Sequence, residues 1–351
     1  MHGLAKLFIY LCSALGLVNY HNLERKNVIS VIEEKAGNIN MLQIFKSIDA
    51  GMTILDQIEN GAWINLVNPS EREISYVSET LSIPVDHIKA ALDEEERARI
   101  EVDGDCTVVL IDTPVPSTNV QEGGIYYTVP LGIIITDKNI VTVSLLENHV
   151  INEFIERKIK SFFTFKKTRF FLQILYKNSK LYLQYLRNID KASGLIETRL
   201  HKSLRNKELI QLLELEKSLV YFSTSLKSNE MVLEKIQRSN PIKMYPEDAE
   251  LLDDVIIENK QAIEMANIYS NILSGTMDAY ASVISNNLNI VMKFLTSATI
   301  VLSIPTMTAS FFGMNVDVPF KNNPHAFAII FIISMFFSVI LAITMAKKEM
   351  F

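Results

Sequence analysis

Residues 293–346 read KFLTSATIVLSIPTMTASFFGMNVDVPFKNNPHAFAIIFIISMFFSVILAITMA. Two apolar runs, Phe294–Phe312 and Ala326–Ala346, hold no Lys, Arg, Asp, Glu or His. Each is about 20 residues, about 30 Å as a helix, which is the thickness of bilayer hydrocarbon. A polar turn opening Gly313-Met314-Asn315 joins them. The spacing predicts a transmembrane hairpin, and so an integral membrane protein. Lys293 precedes the first run, and Lys347 and Lys348 follow the second, whereas the turn holds only Asp317 and Lys321. By the positive-inside rule both termini are expected in the cytoplasm and the turn outside, in the cell (inner or plasma) membrane.

The polar residues of the first run are ordered. Thr296, Thr299, Ser303, Thr306 and Ser310 recur at intervals of 3, 4, 3 and 4, the spacing of one helix face. The same face continues back through Met292, Asn289, Ser285, Ser282 and Asp278, and forward to Gly313. Small hydroxyl residues also let transmembrane helices pack closely, and Ser297 and Thr308 lie off the stripe. The two readings are therefore a packing seam and a wet path. One hairpin cannot enclose a path, so the second reading calls for several copies of the chain.

Composition narrows the function. The formal charge of −6 argues against nucleic acid. Cys12 and Cys106 do not make a disulfide framework, and the six histidines show no metal-ligand spacing. There is no Gly-rich phosphate loop, nucleophile elbow or H-E-x-x-H helix. An enzyme, or a nucleotide-driven pump, is not expected.

Upstream, Leu42–Ile48, Ala62–Leu66, Arg99–Val102, Thr107–Ile111, Ile125–Ile135 and Ile140–Leu145 read as strands. Ser70 is placed to cap a helix, a second helix starts near Pro84, and Asp103-Gly104 reads as a hairpin turn. Trp63 is expected in the core. Asn152–Gln237 has helical periodicity without proline; Gly194 and the Asn206 region are its expected breaks, and Leu212, Leu215, Leu219, Phe222 and Leu226 its buried stripe. Pro241 to Pro246 stops it, and Pro246 opens a helix that meets no proline until Pro305. Unbroken to Phe312, it is about 100 Å long. Residues 1–40 are expected to be an upstream extension, with Met41 the natural start; an amphipathic surface helix is the alternative.

Ser285-Asn286-Asn287-Leu288-Asn289-Ile290-Val291-Met292-Lys293, followed by Phe312-Gly313-Met314-Asn315 between two spans and by a Lys-Lys tail, resembles the CorA family of magnesium channels. The resemblance runs from about Met41 to the end. It implies a funnel-shaped homopentamer whose protomer has a cytoplasmic α/β domain (41–146), a bundle of willow-type helices (147–245), a stalk helix continuing into the first span (246–312), an external loop (313–325), the second span (326–346) and a basic tail (347–351). It implies inward passage of hydrated Mg2+ down the membrane potential, with Mg2+ both transported and regulatory and no nucleotide. The implied partners are copies of the chain, the bilayer and divalent cations.

Roles follow from the resemblance residue by residue. Gly313, Met314 and Asn315 would form the selectivity filter, Asn315 ringing the mouth. Thr296, Thr299, Ser303, Thr306 and Ser310 would hydrogen-bond the passing hydration shell, Asn289 would add a polar ring and Asp278 an acidic one at the exit. Met292 and Leu295 match a constriction that closes by dewetting. Asp93 and Asp254, with Glu94 and Asp253 beside them, match carboxylates that hold regulatory magnesium between protomers. Two positions depart from the family: Val316–His325 has no acidic cluster, and Ser303 stands where some relatives are apolar. The alternatives are a zinc, cobalt or nickel transporter of the same superfamily, and a membrane-anchored scaffold.

Overall fold

The computed structural model describes residues 42–48, 51–117, 125–156, 158–159, 162–203, 206–239, 241–314 and 324–348, so residues 1–40 lie outside the description. Its described residues fall into two compact units. One takes the chain up to Pro116 with Tyr127–Gln184 and Phe222–Ile263; the other takes Ser117–Tyr126, Tyr185–Tyr221 and the chain from Glu264.

The first unit is built on strand β3 (Trp63–Val67), which alternates two kinds of side chain. Ile64 and Leu66 point one way and Trp63 and Asn65 the other, so both faces of the sheet are committed. Strands β1 (Leu42–Ile48), β2 (Gly51–Leu55), β4 (Arg99–Asp103), β5 (Cys106–Pro116), β6 (Tyr126–Thr136) and β7 (Ile140–Ser144) complete the sheet, in the order β2-β1-β3-β7-β6-β5-β4. The β3–β7 pair is parallel and the β1–β2, β1–β3, β4–β5 and β6–β7 pairs are antiparallel.

Helices α1 (Glu71–Leu81) and α2 (Val85–Ala90) cover the face of Ile64, Leu66, Val108, Leu110, Val141 and Val143 with Ile74, Val77, Ile83 and Ile88. Ser70 starts α1 with a capping box: its Oγ accepts from Glu73 N–H, and Glu73 Oε2 accepts from Ser70 N–H at 2.8 Å. Gly132 of β6 is required by the close approach of α2, because a Cβ there would stand 2.6 Å from that of Ala91. The other face is aromatic. Trp63, wholly buried, packs on Phe45, Phe162 and Phe170, and its indole N–H donates to Thr142 Oγ1 at 2.8 Å, which donates on to Asn65. A buried indole donor is thereby satisfied.

Five further helices follow in chain order: α3 (His149–Ile155), α4 (Lys167–Ser203), α5 (Asn206–Ser239), α6 (Pro246–Phe312) and α7 (Ala326–Lys347). Leu212, Leu215, Leu219, Phe222 and Leu226 are buried as the periodicity predicts, and α6 opens at Pro246 and runs unbroken through 67 residues. Asp248 Oδ2 accepts from Tyr245 N–H at 3.2 Å and helps to cap it.

Three expectations are corrected. Strand β2 was not foreseen in the sequence pattern; it is an edge strand whose Ile54 stays 68% exposed, so it lacks the buried alternation that marks a strand. Helix does not run unbroken onward from Asn152: α3 ends at Ile155 and α4 starts at Lys167, and the segment between them is non-helical where described. Nor does Gly194 break α4: glycine costs about 1 kcal/mol in a helix, and burial of Ile189, Ile196 and Leu200 outweighs it.

One polar hub ties β5 to α4 and α5 in the first unit. The Asp112 carbonyl accepts from Asn178 Nδ2 and Asn229 Nδ2, both at 2.9 Å, and from Tyr182 OH at 3.2 Å, while its N–H donates to Asn229 Oδ1 at 2.9 Å. Burial pushes the Asp112 carboxyl up to about 6, with a hydrogen bond from Ser225 acting the other way.

Candidate ion pathway

In the upper part of α6 one face is covered and the other is bare. Ser297 is fully buried, and Val301, Ile304, Pro305, Thr308 and Phe312 are partly covered. On α7 the covered positions among the described side chains are Ile329, Ile330, Ser334, Ser338, Leu341, Ala342 and Met345. Thr296, Thr299, Ser303, Thr306 and Ser310 are all exposed. At about 100° per residue, these five lie about half a turn round the helix from the covered face. The hydroxyls that the chain buries are those off the stripe, and the stripe itself is left open.

Three of the five stripe hydroxyls bond back to the helix. Thr299 donates to Leu295 O at 2.8 Å, Ser303 to Ile300 O at 2.7 Å and Thr306 to Leu302 O at 3.0 Å. Each proton is committed to the helix's own backbone, and oxygen lone pairs remain for whatever lies outside. The waters around a cation turn their protons outward, so this face offers acceptors to a hydrated cation. Pro305 sits inside the helix without an N–H, which deprives the Val301 carbonyl of its helical donor.

Below the stripe, every residue from Ala281 to Thr296 except Ile284 is exposed, including Asn289, Met292 and Leu295, and Asp278 is exposed further down. Apolar side chains here face outward in several directions, Leu288, Ile290, Val291 and Met292 among them. At the upper end, Gly313 N–H donates to Ala309 O at 3.0 Å and so extends the last turn. A Cβ on Gly313 would lie 3.3 Å from that same carbonyl, tighter than ordinary contact, which is a local reason for glycine. Met314 is exposed, while Asn315 lies outside the described residues.

The four carboxylates assigned to regulation are exposed. Asp93 Oδ1 accepts from Glu95 N–H at 3.0 Å, and Asp253 Oδ1 from Gln237 Nε2 at 3.3 Å. Among the described residues no three His, Cys, Asp or Glu side chains of one chain converge on a metal position. These carboxylates therefore fit a magnesium ion only if a second chain adds ligands. A cavity of about 820 Å³ in the first unit is lined by Lys166, Lys167, Arg169 and Lys243 against Asp105, Asp137, Glu247 and Asp248, so it has no net charge.

Comparison with known proteins agrees with this architecture. The chain is 28% identical over 275 residues to the cobalt/magnesium transport protein CorA of Methanocaldococcus jannaschii, covering 76% of this chain and 83% of that one. It superposes on the complete structure of the CorA magnesium transporter from that organism with a TM-score of 0.72 at 24% identity, covering 87% of this chain and 98% of the other. The ZntB cytoplasmic domain from Vibrio parahaemolyticus shares the fold at a TM-score of 0.54 and 10% identity, over 71% of this chain and 98% of that one. The α/β unit, the long helix and the C-terminal apolar helix are the parts of a CorA protomer. Residues 59–348 match the CorA-like Mg2+ transporter protein family, and the chain belongs to that family.

Proposed function

We propose that the chain assembles as a homopentamer that passes hydrated Mg2+ into the cell down the membrane potential, and that cytoplasmic Mg2+ closes it. The carrying observation is the hydroxyl stripe. It lies opposite the face the chain covers, and the hydroxyls of Thr299, Ser303 and Thr306 already donate to the backbone. Packing within the hairpin uses Ser297, Ser334 and Ser338 instead, which weakens the scaffold reading. Magnesium gives up water reluctantly and prefers oxygen, so a wall of oxygen acceptors suits passage with the shell in place. Zinc, cobalt and nickel favour nitrogen and sulfur more, and the stripe offers no such ligand beyond Met292. A divalent ion gains about 4.6 kcal/mol per 100 mV of inside-negative potential, so no nucleotide is required.

In this reading Asn315 rings the outer mouth with Gly313 and Met314, Met292 and Leu295 form the dry constriction, and Asn289 and Asp278 follow toward the cytoplasm, where both termini lie. Asp93 and Asp254, with Glu94 and Asp253, repel one another across the seam between copies until magnesium bridges them.

The deciding experiment is uptake into proteoliposomes at a clamped potential, Mg2+ competing against Co2+ and Zn2+. Asn315→Ala is expected to abolish Mg2+ uptake while the oligomer stays intact; unchanged uptake would overturn the filter assignment. Asp93→Ala with Asp254→Ala is expected to leave uptake insensitive to internal Mg2+, and undiminished inhibition would remove those residues from the regulatory site.

A further inference from the structure

The cavity of about 820 Å³ in the first unit lies between the start of α4 and the turn that leads into α6. Its volume falls in the range of small-molecule sites, about 300–1,000 Å³. The same chain ties its walls together. Thr168 Oγ1 donates to Lys243 O at 2.9 Å, and Lys167 Nζ donates to the Thr136 and Asp137 carbonyls. Two aromatic rings on the wall are each more than half open, Phe165 at 54% and Tyr245 at 58%.

The charges on this wall run against the ordinary rule for a helix start. Amide protons there have no acceptor within the helix, and the dipole is positive, so acids are favoured. The first turn of α4 has no acid, and Lys166, Lys167 and Arg169 crowd it instead. Among the described residues neither Lys166 nor Lys243 forms an ion pair. Each rests its ammonium over a ring, Lys166 on Phe163 at 5.5 Å and Lys243 on Tyr245 at 5.7 Å. Arg169 Nη1 is buried without a hydrogen-bond partner, and the carboxylates of Glu247 and Asp248 stay 3.6 and 3.9 Å from it. Asp105 and Asp137 line the same cavity and are exposed.

We infer that this cavity binds a nucleoside polyphosphate as its magnesium complex. The phosphates meet the α4 amides, Arg169, Lys166 and Lys243, and the base stacks on Phe165 or Tyr245. A wall with equal numbers of cations and acids suits a ligand that itself carries both signs. A bare polyanion would be repelled by half of it. Asp105 and Asp137 face the metal, directly or through the waters it keeps. The nucleotide is bound and not hydrolysed, and the inference stands apart from the ion pathway.

The test uses the full chain in detergent micelles at fixed free Mg2+, with a fluorescent mant-ATP probe read by anisotropy. Unlabelled ATP is expected to displace the probe, and adenosine or inorganic tripolyphosphate to do so about tenfold less well. Lys166→Glu/Lys243→Glu should weaken binding by on the order of a hundredfold, and Phe165→Ala/Tyr245→Ala by about tenfold. All six positions substituted in these tests are exposed, so the variants should fold. Asp105→Asn/Asp137→Asn decides the role of the metal by sign. Weaker binding supports the magnesium complex, whereas unchanged or tighter binding would overturn it. Absence of saturable binding, tripolyphosphate that competes as well as ATP, or binding that survives Lys166→Glu/Lys243→Glu would overturn the site itself.

Discussion

The sheet of the first unit and the upper half of α6 solve opposite problems. On the sheet, α1 and α2 close one face and an aromatic cluster around Trp63 lies on the other, so the side chains of the central strands β3, β5, β6 and β7 are mostly buried against the same chain. On α6 above Ala281, only one narrow face is covered. The first surface is specified by one protomer, whereas the second is left bare by its own chain, and in the proposed reading lipid and further copies cover it. Substitutions should therefore separate cleanly, with sheet positions changing the stability of the chain and stripe positions changing flux.

The largest test of that contrast is Trp63→Ala. It removes a fully buried ring with three aromatic neighbours and leaves Thr142 Oγ1 without its donor, a loss of about 3–5 kcal/mol. Denaturant unfolding should show it, and a near-neutral result would break the claim that this face is closed by its own chain.

Asp112→Asn gives a smaller effect with a definite sign. The Asp112 carboxyl is raised from 3.8 to about 6 in the fold, so the folded chain holds the proton more tightly than the unfolded one. Its favourable share is fully present below about 4 and is lost as the pH rises through about 6. By neutral pH the buried charge costs on the order of 3 kcal/mol. Asn cannot ionise, so the variant should gain stability relative to the parent as pH rises from 4 to 8, read from melting temperatures across that range. Parallel pH profiles for the two proteins would contradict a buried, titrating carboxyl.

The smallest effect sharpens the other half of the contrast. Thr299→Val with Thr306→Val keeps side-chain shape and removes two acceptors from the stripe, and is expected to lower Mg2+ flux about tenfold, or about 1.4 kcal/mol, without altering the melting temperature. Ser338→Ala on the covered face of α7 should leave flux unchanged. Reversal of these two outcomes would return the stripe to a packing role.

Much of this division was legible in residue patterns. Charge-free runs marked the hairpin, Pro246 marked the start of α6, and the 3-4-3-4 hydroxyl spacing picked out a face that proves to be bare. Strand β2 escaped notice because an edge strand need not alternate, and Gly194 misled because tertiary burial overrides a propensity of about 1 kcal/mol. The Asp112 hub was invisible for another reason: its partners Asn178 and Asn229 are scattered through helices, and only the fold brings them to one carbonyl. The carboxylates proposed for regulation pose a further problem, since a site that a second chain would complete leaves no spacing signature in one.

The absence of any ionisable side chain between Lys293 and Phe312 has a physiological corollary. A wall that discriminates by fixed hydroxyl dipoles carries no proton to gain or lose and no counter-ion to be displaced. In the proposed reading, its preference for positive over negative permeants should persist through acid stress and osmotic shifts alike.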